Sequence, residues 1–102
     1  MNKLIKSMML VAGVTVVGLA NAATTPAETA GMCAGNAAII KMAADKAGIP
    51  KLSALAAEQS ARNFNRYDGQ PGFKQAFEWQ VKQKVSGDDR LKIADGCAAS
   101  GF

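Results

Sequence analysis

The sequence predicts an all-α fold: one small bundle of three to four short helices held together by a single disulfide. Apolar residues recur at spacings of three and four, whereas no segment alternates between apolar and polar residues as a half-buried strand does. Segments rich in glycine and proline separate these periodic stretches. The two cysteines, Cys33 and Cys97, lie near opposite ends of the helical region.

Residues 1–22 have the three parts of a cleaved export signal. Two lysines give a positive start, residues 8–19 form an apolar run, and Ala20-Asn21-Ala22 matches the small-x-small pattern that signal peptidase recognises. The run is shorter than the roughly 20 apolar residues that span a bilayer, which argues against a retained anchor. We therefore predict cleavage after Ala22, a mature helical domain of residues 23–102, and a periplasmic or secreted location.

Loss of the leader lowers the charge of the chain. The full sequence has 12 Lys and Arg against 8 Asp and Glu, a formal net charge of +4. The leader contains two of the lysines and no acidic residue, so the mature chain has a net charge of about +2. Nucleic-acid binding usually needs Lys and Arg concentrated on one surface. We therefore expect no nucleic-acid partner.

The first mature helix is predicted to lie between Thr25 and Ala47. Thr25-Pro26-Ala27-Glu28 matches a capping box with proline at the first helical position, and Gly48 is the residue type that ends helices. Gly31 and Gly35 lie opposite the apolar face, where each costs roughly 1 kcal/mol relative to alanine. They indicate either close backbone contact or loose packing. The predicted core face comprises Met32, Cys33, Asn36, Ala37, Ile39, Ile40, Ala43, Ala44 and Ala47.

Asn36 is the polar member of this apolar face. A buried amide without partners loses roughly 1 to 3 kcal/mol. We therefore expect its side chain to form hydrogen bonds with the end of a neighbouring helix. Ligand binding is the alternative role.

The two cysteines are predicted to form one structural disulfide. In an oxidising compartment, two cysteines in a small exported domain most simply pair with each other, and the Cys33–Cys97 bond would clamp the C-terminal region to the first helix. The alternatives are a bridge between two chains, or redox or nucleophilic chemistry. Redox or nucleophilic chemistry usually needs a Cys-x-x-Cys motif or a histidine base, and the sequence contains neither.

Three further helices are expected. The second starts at Ile49-Pro50 and either shifts its contacts or frays near Asn63. After a loop over residues 68–72, the third begins near Phe73 and is terminated by Ser86-Gly87. A short fourth helix is capped by Asp88 or Asp89 and ends at Gly96, just before Cys97. Residues 98–102 have no pattern that places them.

Trp79 lies away from the apolar face of the third helix. It projects roughly 120° from Phe73 at 100° per residue. Because a small protein rarely leaves its only tryptophan in water, we expect Trp79 to be buried at the edge of the core. The alternative is contact with a partner, since tryptophan is enriched among interface hot spots.

The side-chain inventory argues against an enzyme. The chain has no histidine, which removes His-dependent triads and most catalytic zinc sites. Asp88, Asp89 and Asp95 form the densest acidic set but lack EF-hand spacing, so we interpret them as capping and surface residues. We expect no catalytic residue, no cofactor and no metal.

Arg62, Arg66 and Lys74, near Tyr67 and Phe73, form the one local basic and aromatic cluster. An ordinary polar helix end is the simpler interpretation. The functional alternative is a docking surface for an acidic partner, where charge mainly raises the association rate. Together with Trp79, residues Arg62, Arg66 and Tyr67 are the candidate partner-binding residues.

Two function classes follow from this sequence. The first is an exported, non-catalytic helical protein that binds another protein, as an inhibitor, immunity factor or accessory subunit. The second is a carrier of a small apolar ligand, which predicts a dry cavity of at least roughly 300 Å³ between helices. A membrane-active peptide is less consistent with the polar, evenly charged mature helices.

The layout of the chain, with Cys33-Ala34-Gly35 early in the first mature helix, resembles that of periplasmic immunity proteins. Those proteins neutralise toxins from competing cells, so the resemblance implies protein binding. It covers three residues and a layout, and no site residue is carried over from it.

Overall fold

The computed structural model describes residues 24–102, which form four helices: α1 (Pro26–Ala47), α2 (Pro50–Tyr67), α3 (Phe73–Lys82) and α4 (Gly87–Ala99). These residues contain no strand, so the predicted all-α bundle is confirmed. The predicted export signal, residues 1–22, lies outside the described part of the chain. None of the four helices is long and apolar enough to cross a membrane.

The ends of α1 agree with the local sequence signals. The Thr25 hydroxyl accepts a hydrogen bond from the Glu28 N–H (3.1 Å), and the Glu28 carboxylate accepts one from the Thr25 N–H (2.9 Å), which completes the capping box. At the other end, Gly48 adopts a φ of +71° and donates to the carbonyl oxygens of Ala44 and Asp45. Glycine adopts this left-handed conformation at little cost, so the predicted stop is confirmed.

Helix α1 is the centre of the bundle, because α2, α3 and α4 each pack against it. The prediction of a single core face is therefore wrong in part. Ala43 and Ala47 are exposed, whereas Gly31 and Gly35 are buried. A helix with three neighbours buries most of its circumference rather than one stripe. Its buried residues are Ala27, Ala30, Gly31, Cys33, Ala34, Gly35, Asn36, Ala37, Ile40 and Ala44.

The two buried glycines bring α3 onto the backbone of α1. A Cβ atom on Gly35 would lie 2.8 Å from the carbonyl oxygen of Phe77, and a Cβ atom on Gly31 would overlap the carbonyl oxygen of Phe73. Real Cβ atoms do not approach so closely, so this helix spacing requires glycine. Of the two interpretations of these glycines, close backbone contact is confirmed.

The α1–α3 contact is continued by an aromatic cluster that includes α2. Phe73 is buried against three alanines of α1, and Phe64 of α2 packs against the same cluster. The Phe64 ring meets the rings of Phe73 and Phe77 edge-on, with centroids 5.0 Å and 5.3 Å apart. This geometry is favourable for aromatic pairs. It ties α2 to α3 at the end of the bundle that contains the first turns of α1.

A second cluster joins α1 to α2 and α4. Ala37 and Ile40 of α1 are buried with Ala56 of α2, and Leu52 and Ala94 pack against them. Alanines dominate both clusters, and Ile40 and Phe73 are the two large hydrophobic side chains among the buried residues of the described chain. Most of the large apolar side chains are therefore partly or wholly exposed.

The boundaries of α3 and α4 differ from the predicted ones. Helix α3 ends at Lys82 rather than at Ser86-Gly87. The cap of α4 is Ser86, whose hydroxyl accepts from the Asp89 N–H, and not Asp88 or Asp89. Both aspartates instead occupy the first turn, where the helix dipole favours negative charge. Helix α4 also continues past Gly96 to Ala99.

Cys33 and Cys97 form the predicted disulfide, which links α1 to α4. Their Cα atoms are 5.9 Å apart and 64 positions separate them in sequence. Cys33 lies in the first half of α1, and Cys97 lies near the end of α4. The bond therefore fixes the position from which the last residues of the described chain turn back toward α2.

Candidate functional site

A stripe of hydrogen-bond donors runs along one face of α2. Gln59, Arg62, Asn63 and Arg66 follow the i, i+3, i+4, i+7 pattern of a single helix face. We call these four residues the donor stripe. The helix is continuous through Asn63, where the sequence suggested a shift of contacts or fraying. Regular geometry over its full length is what aligns the four side chains.

The donor stripe binds the segment Ser100–Phe102, called here the C-terminal segment. Three side chains converge on the Phe102 main-chain oxygen: Asn63 Nδ2 at 3.1 Å, Arg62 Nη2 at 3.3 Å and Gln59 Nε2 at 3.4 Å. The fourth, Arg66, donates from Nη1 to the Gly101 carbonyl oxygen at 2.7 Å. All four donors thus act on main-chain oxygen atoms rather than on a side chain of the segment.

The C-terminal segment reaches the donor stripe by turning back at the end of α4. Gly101 has a φ of +88°, and the Phe102 N–H donates to the Cys97 carbonyl oxygen at 2.8 Å. This left-handed turn is a common helix C-terminus. It places the Phe102 ring beside Tyr67, with ring centroids 6.0 Å apart. No residue from Ala98 to Phe102 is buried, so polar contacts and one partly exposed ring hold the segment.

Asn63 has one hydrogen-bonding atom that the segment does not satisfy. Its side chain is fully buried, and Nδ2 donates both to Phe102 and to the Gln59 carbonyl oxygen (2.8 Å). Its Oδ1 atom is buried and has no hydrogen-bond donor among the described residues. A buried acceptor without a donor is costly and rare in folded proteins. The site therefore contains one buried polar atom that the described residues leave unsatisfied.

The structure brings three of the four candidate partner-binding residues together. Arg62, Arg66 and Tyr67 all contact the C-terminal segment, whereas Trp79 lies on α3 and takes no part in the donor stripe. The expectation that Trp79 is buried at the core edge is wrong, because 39% of the residue is exposed. Its position follows from helix geometry, since the buried face of α3 is formed by Phe73, Ala76 and Gln80.

Trp79 is one of five large hydrophobic residues that are exposed in the described chain. The most exposed are Leu55 at 63% and Met42 at 58%. The other two are Ile49 and Leu91. Scattered exposed hydrophobic residues are normal in small proteins. Here, however, they outnumber the two large hydrophobic side chains that are buried.

Asn36 forms the predicted hydrogen bonds to a neighbouring helix. Its Nδ2 donates to the Arg90 carbonyl oxygen (2.9 Å), and its Oδ1 accepts from Arg90 Nη1 (3.1 Å). Arg90 Nη2 also donates to the Gln83 carbonyl oxygen at the end of α3 (2.8 Å). This reciprocal pair connects α1, α3 and α4 at one point. Both polar atoms of the Asn36 side chain are hydrogen-bonded to Arg90, which favours the structural role over ligand binding.

Arg90 is a buried charged residue that the sequence analysis missed. It is 4% exposed, and no carboxylate pairs with it among residues 24–102. Burial lowers the pKa of the Arg90 guanidinium, although arginine stays protonated in proteins. The side-chain oxygen of Asn36 and the main-chain oxygen of Gln83 accept its hydrogen bonds in place of a carboxylate. The signal in the sequence was Asn36 itself, which needed a partner.

A shallow depression lies where α1 turns into α2. It has a volume of about 160 Å³ and is lined by Ala44, Asp45, Gly48, Ile49 and Pro50. Pockets for small molecules usually exceed roughly 300 Å³. Next to it, hydrogen bonds from Lys41 and Ser53 lower the pKa of the exposed Asp45 carboxylate. Lys41 and Asp45 form an ion pair within the described residues, with Lys41 Nζ 2.8 Å from Asp45 Oδ2.

The comparisons with known proteins give no relative that assigns a role to these residues. No protein-family model, no curated protein and no solved structure matches the chain.

Proposed function

We propose that this chain is an exported, non-catalytic helical protein that acts by binding another protein. The observation that carries the proposal is the distribution of large apolar side chains. The buried clusters consist mainly of alanine, while Met42, Ile49, Leu55, Trp79 and Leu91 are exposed. Apolar area that stays in water contributes no burial free energy to the free monomer, and that free energy is gained when a partner covers the area. Tryptophan and other large side chains supply much of the energy at protein interfaces.

Further observations support the other parts of the proposal. The leader pattern of residues 1–22 and the Cys33–Cys97 disulfide both favour export, because disulfides form in oxidising compartments. The sequence has no histidine, and neither cysteine is free. The sequence therefore offers neither a histidine general base nor a free thiol nucleophile. Neutralisation of a toxin is one form that such binding could take.

The test is partner capture with matched variants. Oxidised protein, produced from the full chain with its own leader, is used to capture partners from the extracellular and periplasmic fractions of the producing cell. The captured protein is then purified, and its affinity is measured by calorimetry. Leu55→Lys and Trp79→Lys each remove an exposed apolar side chain, whereas Ala54→Lys and Gln75→Lys add the same charge on exposed neighbours in the same helices.

We expect Leu55→Lys or Trp79→Lys to weaken binding at least about tenfold, while the two control variants bind like the wild type. Equal affinities in all five proteins would show that the exposed apolar residues do not form the interface. Failure of the wild type to capture any protein would contradict the proposal as a whole.

A further inference from the structure

Helices α2 and α4 run in the same direction on neighbouring sides of α1. The order of their contacts shows this direction. Gln59 donates to the Ala94 carbonyl oxygen at 3.0 Å, and further along α2 Arg66 donates to the Gly101 carbonyl oxygen at 2.7 Å. Each of the two helices packs against α1 rather than closely against the other. Their first halves therefore border a groove, and the second buried cluster forms its floor.

Leucine side chains line both walls of this groove. Leu55 lies one turn before Gln59 on α2, at 63% exposure. Leu91 lies one turn before Ala94 on α4, at 40% exposure. Because Gln59 contacts Ala94, helix geometry places the two leucines on facing walls. Leu52 and Ala94 pack against the floor between them. We call Leu52, Leu55, Leu91 and Ala94 the leucine patch.

The charges beside the leucine patch are mostly acidic. The charged residues one turn away from either exposed leucine are Lys51, Glu58, Asp88 and Asp95. All four are exposed, and none of them forms an ion pair among residues 24–102. One lysine and three carboxylates give this rim a net charge of −2, whereas the mature chain has a net charge of about +2. The rim therefore attracts positive charge.

Other basic residues nearby do not reverse the sign of the rim. Arg90 is buried and points toward Asn36 on α1. Arg62 lies beyond Gln59, in the half of α2 that contacts the C-terminal segment. Lys92 follows Leu91 in sequence and is therefore rotated about 100° around α4 from it. The exposed carboxylates are thus the charged groups nearest to the exposed leucines.

The groove suits an amphipathic helix better than a strand or a membrane. Both walls are helices, whose main-chain groups are hydrogen-bonded internally, so they have no free edge to which a strand could be added. A helix in a groove is instead recognised through apolar side chains spaced three and four apart. An anionic lipid surface attracts basic segments and would be repelled by an acidic rim.

From these observations we propose that the leucine patch is the docking site for a basic amphipathic helix of a partner protein. The inference rests on the proposed protein-binding function and adds the chemistry of the partner. Apolar side chains of the partner helix pack between Leu55 and Leu91. Its lysines or arginines lie beside Glu58, Asp88 and Asp95.

The experiment measures peptide binding to the oxidised protein by fluorescence anisotropy. The basic probe is a fluorescein-labelled, amidated peptide of about 15 residues, with leucines spaced three and four apart, lysines beside them and alanine elsewhere. In the acidic probe, glutamate replaces every lysine. In the scrambled probe, the residues of the basic probe are reordered so that the leucines share no face. Circular dichroism establishes that every protein variant is folded.

We expect the wild type to bind the basic probe at least about tenfold more tightly than the acidic or the scrambled probe. Leu55→Ser combined with Leu91→Ser should weaken binding of the basic probe at least about tenfold. Met42→Ser combined with Trp79→Ser is the matched control, because it removes two exposed apolar side chains outside the patch. The control should bind the basic probe like the wild type.

Neutral variants of the rim test the charge preference. Glu58→Gln, Asp88→Asn and Asp95→Asn together should remove most of the preference for the basic over the acidic probe. The matched control removes the same charge from exposed residues outside the rim, namely Asp68→Asn, Glu78→Gln and Asp89→Asn. It should leave the preference unchanged.

Equal binding of the basic and acidic probes would overturn the charge preference, and unchanged binding by the double serine variant would overturn the patch as the site. Two other occupants are tested with the same variant. If the wild type binds phosphatidylglycerol vesicles or forms a dimer in sedimentation, and Leu55→Ser with Leu91→Ser abolishes this, the patch belongs to a membrane surface or a second copy and the proposal is wrong.

These results are separable from the test of the protein-binding function. If a protein is captured through Trp79 while the three probes bind equally, the chain binds its partner elsewhere and only the leucine-patch inference fails. Absence of any captured protein contradicts the protein-binding function itself, whatever the probes show.

Discussion

Replacement of Gly31 by alanine tests how closely α1 and α3 approach. The new methyl carbon would overlap the Phe73 carbonyl oxygen and stand 3.0 Å from the Ala76 Cβ. The overlapped atom belongs to the backbone, so it cannot rotate away, and α3 must move. Overpacking typically costs about 1 to 3 kcal/mol, and a clash with a backbone atom lies at the upper end, at about 3 kcal/mol. Alanine regains about 1 kcal/mol through its higher helix propensity, which leaves a net loss of about 2 kcal/mol in unfolding free energy.

The measurement is thermal unfolding of the oxidised protein, followed by circular dichroism. For a domain of this size, each kcal/mol shifts Tm by roughly 4–8 °C, so Gly31→Ala should lower Tm by about 10 °C. Gly96→Ala is the matched control, because that glycine also lies within a helix but has open space around its Cβ position. The control should raise Tm by several degrees. If Gly31→Ala raises Tm as well, the two helix backbones are farther apart than described here.

Three further predictions concern the disulfide, the buried polar pair and the surface ion pair. Replacing both cysteines by alanine should lower the unfolding free energy by about 4 kcal/mol, because the bond closes a loop of 64 positions; urea titration measures this, and a loss below about 1 kcal/mol would contradict it. Asn36→Ala leaves the Arg90 guanidinium one acceptor short in a buried site, so we expect a loss of about 2 to 3 kcal/mol in the same titration; an unchanged midpoint would show that the pair is not needed. The pKa of Asp45 lies below its usual 3.8 because Lys41 donates a hydrogen bond to the carboxylate. The stability that this interaction contributes is therefore present above pH 3.8 and is lost as the pH falls through the lowered pKa. An NMR titration of Lys41→Ala should show that pKa moving back toward 3.8, and a pKa that stays low would assign the effect to another group.

The ends of α1 could be predicted because the signals that set them are local. Four residues from Thr25 to Glu28 form the whole capping box, and Gly48 needs no partner to adopt its conformation. The disulfide was predictable for a different reason, since two cysteines have one intramolecular pairing. In both cases the interacting residues belong to one short motif or to the one possible pair, so they could be identified without knowing how the helices pack.

The buried face of α1 could be predicted only in part because it depends on how many helices surround it. Apolar spacing identified Cys33, Asn36 and Ile40 correctly, but Gly31 and Gly35 have almost no hydrophobic signal and are buried by α3. Helix propensity left two interpretations of these glycines open, close backbone contact or loose packing. A pattern method that expects one face cannot distinguish a central helix from an outer one when the residues are small.

The candidate site was predicted in part. Arg62, Arg66 and Tyr67 were identified as a cluster, but their occupant was not, because the C-terminal segment offers main-chain oxygens that every residue has. Near Asn63 the sequence predicted only a shift of contacts or fraying, and no pattern identified Gln59 or Asn63 as donors to the C-terminal segment. Trp79 was expected to be buried on the general behaviour of tryptophan, and the geometry of α3 decided otherwise.

The disulfide also limits how α4 can move. Arg90 is the one buried residue of α4, so this helix has little apolar area holding it to the bundle and is the element best suited to open locally. Because Cys97 stays bonded to Cys33, an opened α4 remains tethered and closes again on its own molecule. Exchange of this helix between two copies, the usual hazard of a loosely packed terminal element, would require the bond to be reduced first.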